Sequence, residues 1–261
     1  MRLDAELVRR GLARSREQAG ELVVAGRVAV SGQQAAKPAT MVTRDAPITI
    51  AAGGEPDYVS RGGHKLAGAL AAFGPLGLAV AGRPCLDAGA STGGFTDVLL
   101  RAGAAHVVAA DVGYGQLAWS LRTDPRVTVL DRVNVRALEQ VVPEPELVVA
   151  DLSFISLTLV LPALVACAVP DADFVLLVKP QFEVGKGRVG AGGVVREPGD
   201  RADAVRRVAA AAAELGLGAL GVTASPLPGP AGNVEYFVWL RRGAPPLADG
   251  QLEQAIKEGP S

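Results

Sequence analysis

The sequence predicts a two-part chain: a small α+β unit over residues 1–57, then a doubly wound α/β domain over residues 58–261 built on a seven-stranded, mostly parallel sheet. Three observations lead there. From about residue 61, short β-branched runs alternate with amphipathic helical stretches, the pattern of a sheet layered between helices. Several of those runs stop on a charged residue, where strand C-termini of open α/β sheets meet their ligands. Before residue 51 the order differs, two helices and then small strands, and Ala51-Ala52-Gly53-Gly54-Glu55-Pro56-Asp57 marks the break in composition.

In the first unit, Leu3, Leu7, Val8 and Leu12 mark a short amphipathic helix. Ser15 with Gln18 forms a capping-box start for a second helix, which carries Ala19, Leu22 and Val23 to a stop at Gly26. Strands are expected at Val28–Val30, before a Ser31-Gly32 turn, and at Met41–Thr43 and Ile48–Ile50. The second unit opens with a helix over 62–73. Strands then end at Asp87, Asp111, Leu130, Asp151 and Lys179, two more lie near 218–224 and 234–240, and helices cover about 200–215 and the tail 252–258.

The 19 uncharged residues from Leu152 to Pro170 match a bilayer-crossing length. They contain Ser153, Ser156, Thr158, Pro162 and Pro170 and are bracketed by Asp151 and Asp171 instead of basic anchors, so a buried helix following a strand is expected. The N-terminus MRLDAELVRR has no apolar core, which predicts no signal peptide and a cytoplasmic protein.

With 49% apolar residues, the chain has material for a core and is not disordered. Its two cysteines, Cys85 and Cys167, and two histidines, His64 and His106, exclude a disulfide scaffold and a Cys- or His-rich metal site, so no metal is expected. A net charge of −1 gives no global sign of a polyanionic partner, but it is an average: residues 1–50 carry +3 and residues 51–261 carry −4. Arg2, Arg10, Arg14, Arg16, Arg27 and Lys37 gather in the first unit, where phosphate contacts position a protein without reading sequence.

The turn Asp87-Ala88-Gly89-Ala90-Ser91-Thr92-Gly93-Gly94-Phe95-Thr96 follows the first strand of the second unit. Its spacing breaks a dinucleotide fingerprint. Gly89 to Gly93 also matches a nucleophile elbow, but that triad needs a later histidine and none follows His106. An S-adenosylmethionine (SAM) pocket remains, with Asp111, 24 residues past Asp87, as acceptor for the ribose hydroxyls. A plain tight turn is the bland alternative. Asn134, just past the third strand, is a candidate adenine-side contact or a turn residue.

Cytosine C5 methylation wants a cysteine where this chain has Asp151-Leu152-Ser153-Phe154 or Lys179-Pro180, and amino-group methylation usually shows Asn/Asp-Pro-Pro-aromatic. Four charges stand out instead: Lys65 in Ser60–Lys65, Asp151, Lys179 at the end of an apolar run, and Glu235 in Gly232–Tyr236. Taken singly, Asp151 suits a helix cap and Glu235 a surface ion pair. Lys65 near a helix start sits unfavourably for a cation, and a lysine with a buried stem requires a partner.

On these motifs the chain resembles the TlyA family of ribosomal RNA 2′-O-methyltransferases, an S4-type RNA-binding domain joined to an FtsJ-like, Rossmann-like SAM-dependent methyltransferase domain. Arg2 through Gly32 match the S4 pattern, Leu86–Thr96 the SAM loop, Ala110–Gly115 the ribose-binding segment, Ala150–Ser156 the fourth motif, and Val178–Lys186 and Ser225–Tyr236 the last two. The linker departs, with Glu55-Pro56-Asp57-Tyr58 in place of a basic-aromatic tetrapeptide. The resemblance implies a catalytic tetrad of Lys65, Asp151, Lys179 and Glu235. It implies SAM contacts from Asp87, Gly89, Ala90, Ser91, Gly93, Gly94, Asp111, Val112, Asn134 and Asp151. It implies RNA contacts from Arg2, Arg10, Arg14, Arg16, Lys37, Arg61 and Lys186, the last in a Gly185–Gly193 loop that is either a lid or plain solvated chain. Lys179 would stand closest to the attacking oxygen, as a neutral base or as a cation stabilising developing alkoxide. The implied substrate is a cytidine ribose in 23S rRNA and, for longer members with a complete first helix and a helical tail, also in 16S rRNA, with the enzyme acting as a monomer on ribosomal subunits. The alternatives are a pore-forming haemolysin, a name this family has carried, a small-molecule O-methyltransferase that would not need residues 1–57, and a non-catalytic ribosome-binding factor.

Overall fold

A computed structural model describes residues 1–13, 15–24, 26–51 and 58–259, without the side chains of Glu17 and Lys186. The chain divides into two compact units, Met1–Asp57 and Tyr58–Ser261. The expected linker residues 52–57 and Arg14 lie outside the described residues.

The first unit consists of α1 (Leu3–Arg9), α2 (Arg16–Val24) and an antiparallel sheet in which β1 (Val28–Val30) lies between β2 (Gln33–Gln34) and β3 (Ile48–Ile50). Leu3, Leu7, Ala19, Val23 and Val28 are fully or almost fully buried and form its core. Ser15 starts α2 as expected, its Oγ accepting the Gln18 N–H at 3.1 Å. Strand β2 was not legible because both residues are polar and exposed. Its place is set by the two-residue turn, where Ser31 (φ 49°) and Gly32 (φ 82°) both adopt the left-handed conformation that matches strand twist. The strand expected at Met41–Thr43 is reduced to one bridge between Met41 and Arg2. The Val42 N–H donates to the Met1 carbonyl beside that bridge.

The second unit runs α3 (Arg61–Phe73), β4 (Pro84–Ala88), α4 (Gly94–Arg101), β5 (His106–Asp111), α5 (Trp119–Arg122), β6 (Val127–Asp131), β7 (Leu147–Ala150), α6 (Leu161–Ala166), β8 (Asp173–Val178), α7 (Pro180–Glu183), α8 (Pro198–Glu214), β9 (Leu217–Ala224), β10 (Tyr236–Arg242) and α9 (Asp249–Glu258). The sheet order is β6-β5-β4-β7-β8-β10-β9. Its first five strands are parallel, and β10 is antiparallel to both neighbours. Every residue of β7 and β8 is buried, as expected for central strands covered on both faces. Alternation along β8 sends Phe174, Leu176 and Val178 into a core with α6 and α8, and Val175 and Leu177 into one with α3 and α4. Cys85 and Cys167 are buried core residues whose thiols burial pushes up to about 12 and about 11.

The apolar run after Asp151 is not one buried helix. Residues 151–156 form an irregular loop, Leu157–Leu159 a single 3-10 turn, and α6 spans only Leu161–Ala166. Pro162 fixes the start of α6, and Ser156 caps the preceding turn by accepting the Thr158 N–H. Among the described residues no helix is long and apolar enough to cross a membrane.

At the N-terminal ends of the strands, Asp173 is 1% exposed and accepts four bonds: from Arg83 Nη1 (2.7 Å), Arg241 Nε and Nη2 (2.8 and 2.9 Å) and Trp239 Nε1 (2.6 Å). A carboxylate this deep is retained because its acceptor capacity is filled by cationic and neutral donors.

Candidate active site

Three adjacent strands deliver three charges. Asp151 is the first residue past β7, Lys179 the first past β8, and Glu235 the last before β10. The register pairs Ala150 with Leu176 and Val178 with Tyr236, so Lys179 and Glu235 occupy the next opposed positions of the β8–β10 ladder. From α3, Lys65 reaches Glu235, with Nζ 2.6 Å from Oε2 and both side chains buried. The other Glu235 oxygen, Oε1, is buried with no partner. Gly229 packs closely beside it: a Cβ there would lie 2.5 Å from Oε1, so a larger residue would displace the carboxylate or the backbone.

Lys179 forms the second pair. Its Nζ donates to Ser153 Oγ at 2.8 Å and lies 2.6 Å from Asp151 Oδ1, a close ion contact whose angles fall outside hydrogen-bond geometry. All four expected tetrad residues therefore lie in one region, joined as two lysine–carboxylate pairs: Lys65–Glu235 is buried, and Lys179–Asp151 has a buried lysine and a partly exposed carboxylate. Asp151 caps no helix, and Glu235 meets Lys65 rather than a surface arginine.

Asp151 and Ser153 also border a cleft of about 460 Å³, within the ordinary size range of small-ligand pockets, whereas Lys65, Lys179 and Glu235 do not line it. Of the residues expected at a cofactor, Gly89, Ser91, Asp111, Val112, Asn134 and Asp151 line it. A Cβ on Gly89 (φ 87°) would sit 2.6 Å from the Asp151 carbonyl oxygen, so glycine is required where the loop passes β7. Asp111 bends back on the loop, accepting the Ser91 N–H (2.8 Å) and the Gly113 N–H (2.7 Å) and keeping lone pairs on both oxygens. Asn134 Oδ1 accepts the Arg136 N–H as a turn cap, and the residue also borders the cleft.

Asp87, Ala90, Gly93 and Gly94 do not line this cleft. Gly93 (φ 100°) begins α4 against Leu117 and Leu121, and Gly94 lets α4 approach Ser60 and Gly63 at the start of α3. Asp87 is fully buried, with Thr96 Oγ1 donating to Oδ2 at 2.7 Å and Oδ1 unpartnered. Burial pushes its carboxyl up to about 7 despite the Thr96 bond.

Sequence reasoning missed Gln116, Leu152, Ser153, Phe154 and Ile155, all of which line the cleft. Phe154 is 91% exposed, adopts φ 64°, and its ring lies 5.4 Å from that of Phe182. The available signal was the interruption of the apolar run by Ser153 and Ser156. In the 185–193 loop, Asn233 accepts the Val195 N–H and donates to the Gly193 carbonyl, tying the loop's end to the residues before Glu235, while Arg188 pairs with Asp200 and Asp203.

In the first unit, Arg2 and Arg16 bond Asp4, holding its carboxyl far below the usual range, Arg2 contributing most. Arg10 is committed to Glu6 and to the carbonyls of Ala46 and Arg44, which makes it a clamp within the unit. The Arg16 side chain keeps 59% exposure, and Lys37 and Arg61 are exposed. The Lys186 side chain lies outside the described residues.

Comparison with known proteins agrees with this architecture. Residues 58–242 match the model of the FtsJ-like methyltransferase family, and residues 1–48 match the S4 domain. The chain is 63% identical to the 16S/23S rRNA (cytidine-2′-O)-methyltransferase TlyA of Mycobacterium tuberculosis, covering 99% of this chain and 98% of that one. It is 44% identical to YqxC of Bacillus subtilis, named as an rRNA methyltransferase, over 92% of this chain and 85% of that one. A solved structure from Streptococcus thermophilus, named as a hemolysin, superimposes with a TM-score of 0.76 at 39% identity, covering 99% and 96% of the two chains. The chain belongs to the FtsJ-like methyltransferase family, in the TlyA group that carries an N-terminal S4 domain.

Proposed function

We propose that this protein transfers a methyl group from SAM to the ribose 2′-hydroxyl of a cytidine in 23S rRNA and of a second in 16S rRNA, in the cytoplasm and as a monomer. The observation that carries the reading is the gathering of two lysine–carboxylate pairs, one of them fully buried, at adjacent strand ends, with Asp151 also bordering a glycine-lined cleft. The identity of the base and of both rRNAs follows the name of the Mycobacterium tuberculosis relative. The well-formed α1 and α9 support the longer, dual-substrate type.

The cleft suits SAM by its donor and acceptor set. Asp111 retains acceptor capacity for a ribose diol, Val112, Leu152 and Ile155 offer apolar surface for an adenine, and Gly89 permits close approach to backbone. When bound, SAM supplies an electrophilic methyl group. Asp151 and Ser153 fix Lys179 Nζ, whose remaining N–H is available to the arriving hydroxyl oxygen. Held against Asp151, Lys179 stabilises negative charge as it develops on that oxygen while water takes the hydroxyl proton. Lys65 holds Glu235 through one oxygen and leaves Oε1 as an acceptor for a substrate hydroxyl. Phe154, exposed at the cleft, offers a flat face for a nucleobase displaced from its stack. Arg2, Arg16 and Lys37 are the phosphate contacts of the S4 unit, and Arg61 and Lys186 those of the catalytic unit.

The test is incubation of purified protein with labelled SAM and separate 30S and 50S subunits, followed by mapping of 2′-O-methylated nucleotides. Label on one cytidine in each subunit is the expected result. Label that never enters rRNA, or undiminished activity on small hydroxylated acceptors after removal of residues 1–57, would refute the reading.

A further inference from the structure

Among the buried carboxyls of the catalytic unit that the transfer chemistry does not use, one is bonded to the loop bordering the cleft. Glu183, 2% exposed, ends α7 four residues after Lys179. Its Oε2 accepts the Ser156 hydroxyl at 2.6 Å and its Oε1 the Leu157 N–H at 2.7 Å. The segment 179–183 and the loop 151–157 are thus matched along their length: Lys179 with Asp151 and Ser153, Phe182 with Phe154, Glu183 with Ser156 and Leu157. Asp151 to Ile155 all line the cleft, yet the loop has no helix or strand ladder of its own, and Phe154 sits in a left-handed conformation that costs energy for a bulky side chain. Such a conformation persists only where the surroundings hold it, and the two Glu183 bonds are the polar anchor at its far end.

We propose that Glu183 is a positioning residue for methyl transfer, clamping loop 151–157 so that Asp151 and Ser153 hold Lys179 Nζ in the transfer geometry; this rests on the reading of Lys179 as the residue at the attacking oxygen. The clamp depends on hydrogen bonding and not on negative charge. Burial raises the Glu183 carboxyl above its ordinary range, with the Ser156 and Leu157 bonds opposing. A glutamine offers the same acceptor to Leu157 and a donor to the Ser156 oxygen.

Glu183→Ala, Glu183→Gln and Ser156→Ala are compared with the unmodified protein in single-turnover transfer to 50S subunits, SAM titration, and amide hydrogen exchange over residues 152–157. Glu183→Ala is expected to slow transfer about 10- to 100-fold, the scale of an ångström-level misplacement, with a smaller loss of SAM affinity because Leu152 and Ile155 of the same loop border the cleft, and with faster exchange at Leu157. Glu183→Gln restores transfer to within about threefold of the unmodified protein. Should Glu183→Ala fail to fold, Ser156→Ala, which removes one of the two bonds, carries the same expectation in the same direction. A wild-type rate in Glu183→Ala, equal loss in Glu183→Gln, or slowed transfer without faster exchange at Leu157 would overturn the proposal. Absence of transfer by the unmodified protein would instead overturn the functional reading, and with it this role.

Discussion

Replacing Asp87 by asparagine should stabilise the catalytic unit at neutral pH and remove part of its pH dependence. Asp87 is fully buried, has one partner, Thr96, and leaves Oδ1 unsatisfied. Burial carries its carboxyl from 3.8 to about 7. A folded-state value above the unfolded one means that the native state binds more protons between those limits, so stability falls as pH rises through that window. About three units at 1.36 kcal/mol each gives a loss of about 4 kcal/mol, complete near pH 7. The asparagine side chain has no proton to lose but still offers Thr96 an acceptor. The stability advantage of Asp87→Asn should therefore be small at pH 5 and grow by about 3 kcal/mol by pH 8. Both tryptophans, Trp119 and Trp239, belong to the catalytic unit, so urea unfolding followed by tryptophan fluorescence reports that unit alone. A difference between the two proteins that stays constant from pH 5 to pH 8 would refute the reasoning, and one that shrinks would reverse its sign.

Three further outcomes are expected. Lys179→Ala should reduce methyl transfer at least about 100-fold while SAM affinity, measured by titration calorimetry, stays nearly unchanged; retained turnover would remove Lys179 from the site. Arg16→Ala should weaken rRNA binding and lower the slope of log affinity against log salt by about 1, whereas an unaltered slope would make Arg16 only a partner of Asp4. Asp173→Ala should cost about 3–5 kcal/mol in urea unfolding at neutral pH by stranding Arg83 and Arg241, with SAM affinity preserved, since Lys179 lies six residues and about 20 Å along the strand direction. Burial raises the Asp173 carboxyl, but the bonds from Arg241, Trp239 and Arg83 outweigh it and leave it below the ordinary value, so this contribution is present above about pH 4 and is lost as pH falls through the lowered native value.

The catalytic unit was legible where hydrophobic periodicity and a terminal charge coincide. Asp111, Asp151 and Lys179 each close an apolar run, and each stands at the C-terminal end of a parallel strand or one residue beyond. Asp87 closes such a run too, and the strand continues one residue past it to Ala88. The loop 151–156 was not legible. Its residues are apolar enough to suggest a buried helix, but Phe154 is left-handed, Pro162 sets the start of α6, and the Leu157 N–H is taken by a carboxylate 26 residues away. Glu183 itself carried a weak signal, an acid in the otherwise uncharged turn Pro180-Gln181-Phe182. The glycines of the first motif could be counted from sequence, but not sorted: only Gly89 borders the cleft, while Gly93 and Gly94 serve helix packing, a distinction made by neighbours distant in the chain. In the S4 unit, the sum of charges revealed the basic bias and concealed that Arg10 is consumed by its own fold.

The Lys65–Glu235 pair joins residues 170 positions apart, tying the opening helix of the catalytic unit to its last strand. During synthesis, the strands that border the cofactor cleft emerge well before residue 235 does. Until then Lys65 has no carboxylate to meet, and β10 is missing from its place between β8 and β9. The order of the chain therefore separates in time the assembly of the cleft from that of the proposed transfer site, and on that reading a nascent or truncated chain ending before Glu235 is held short of reaction.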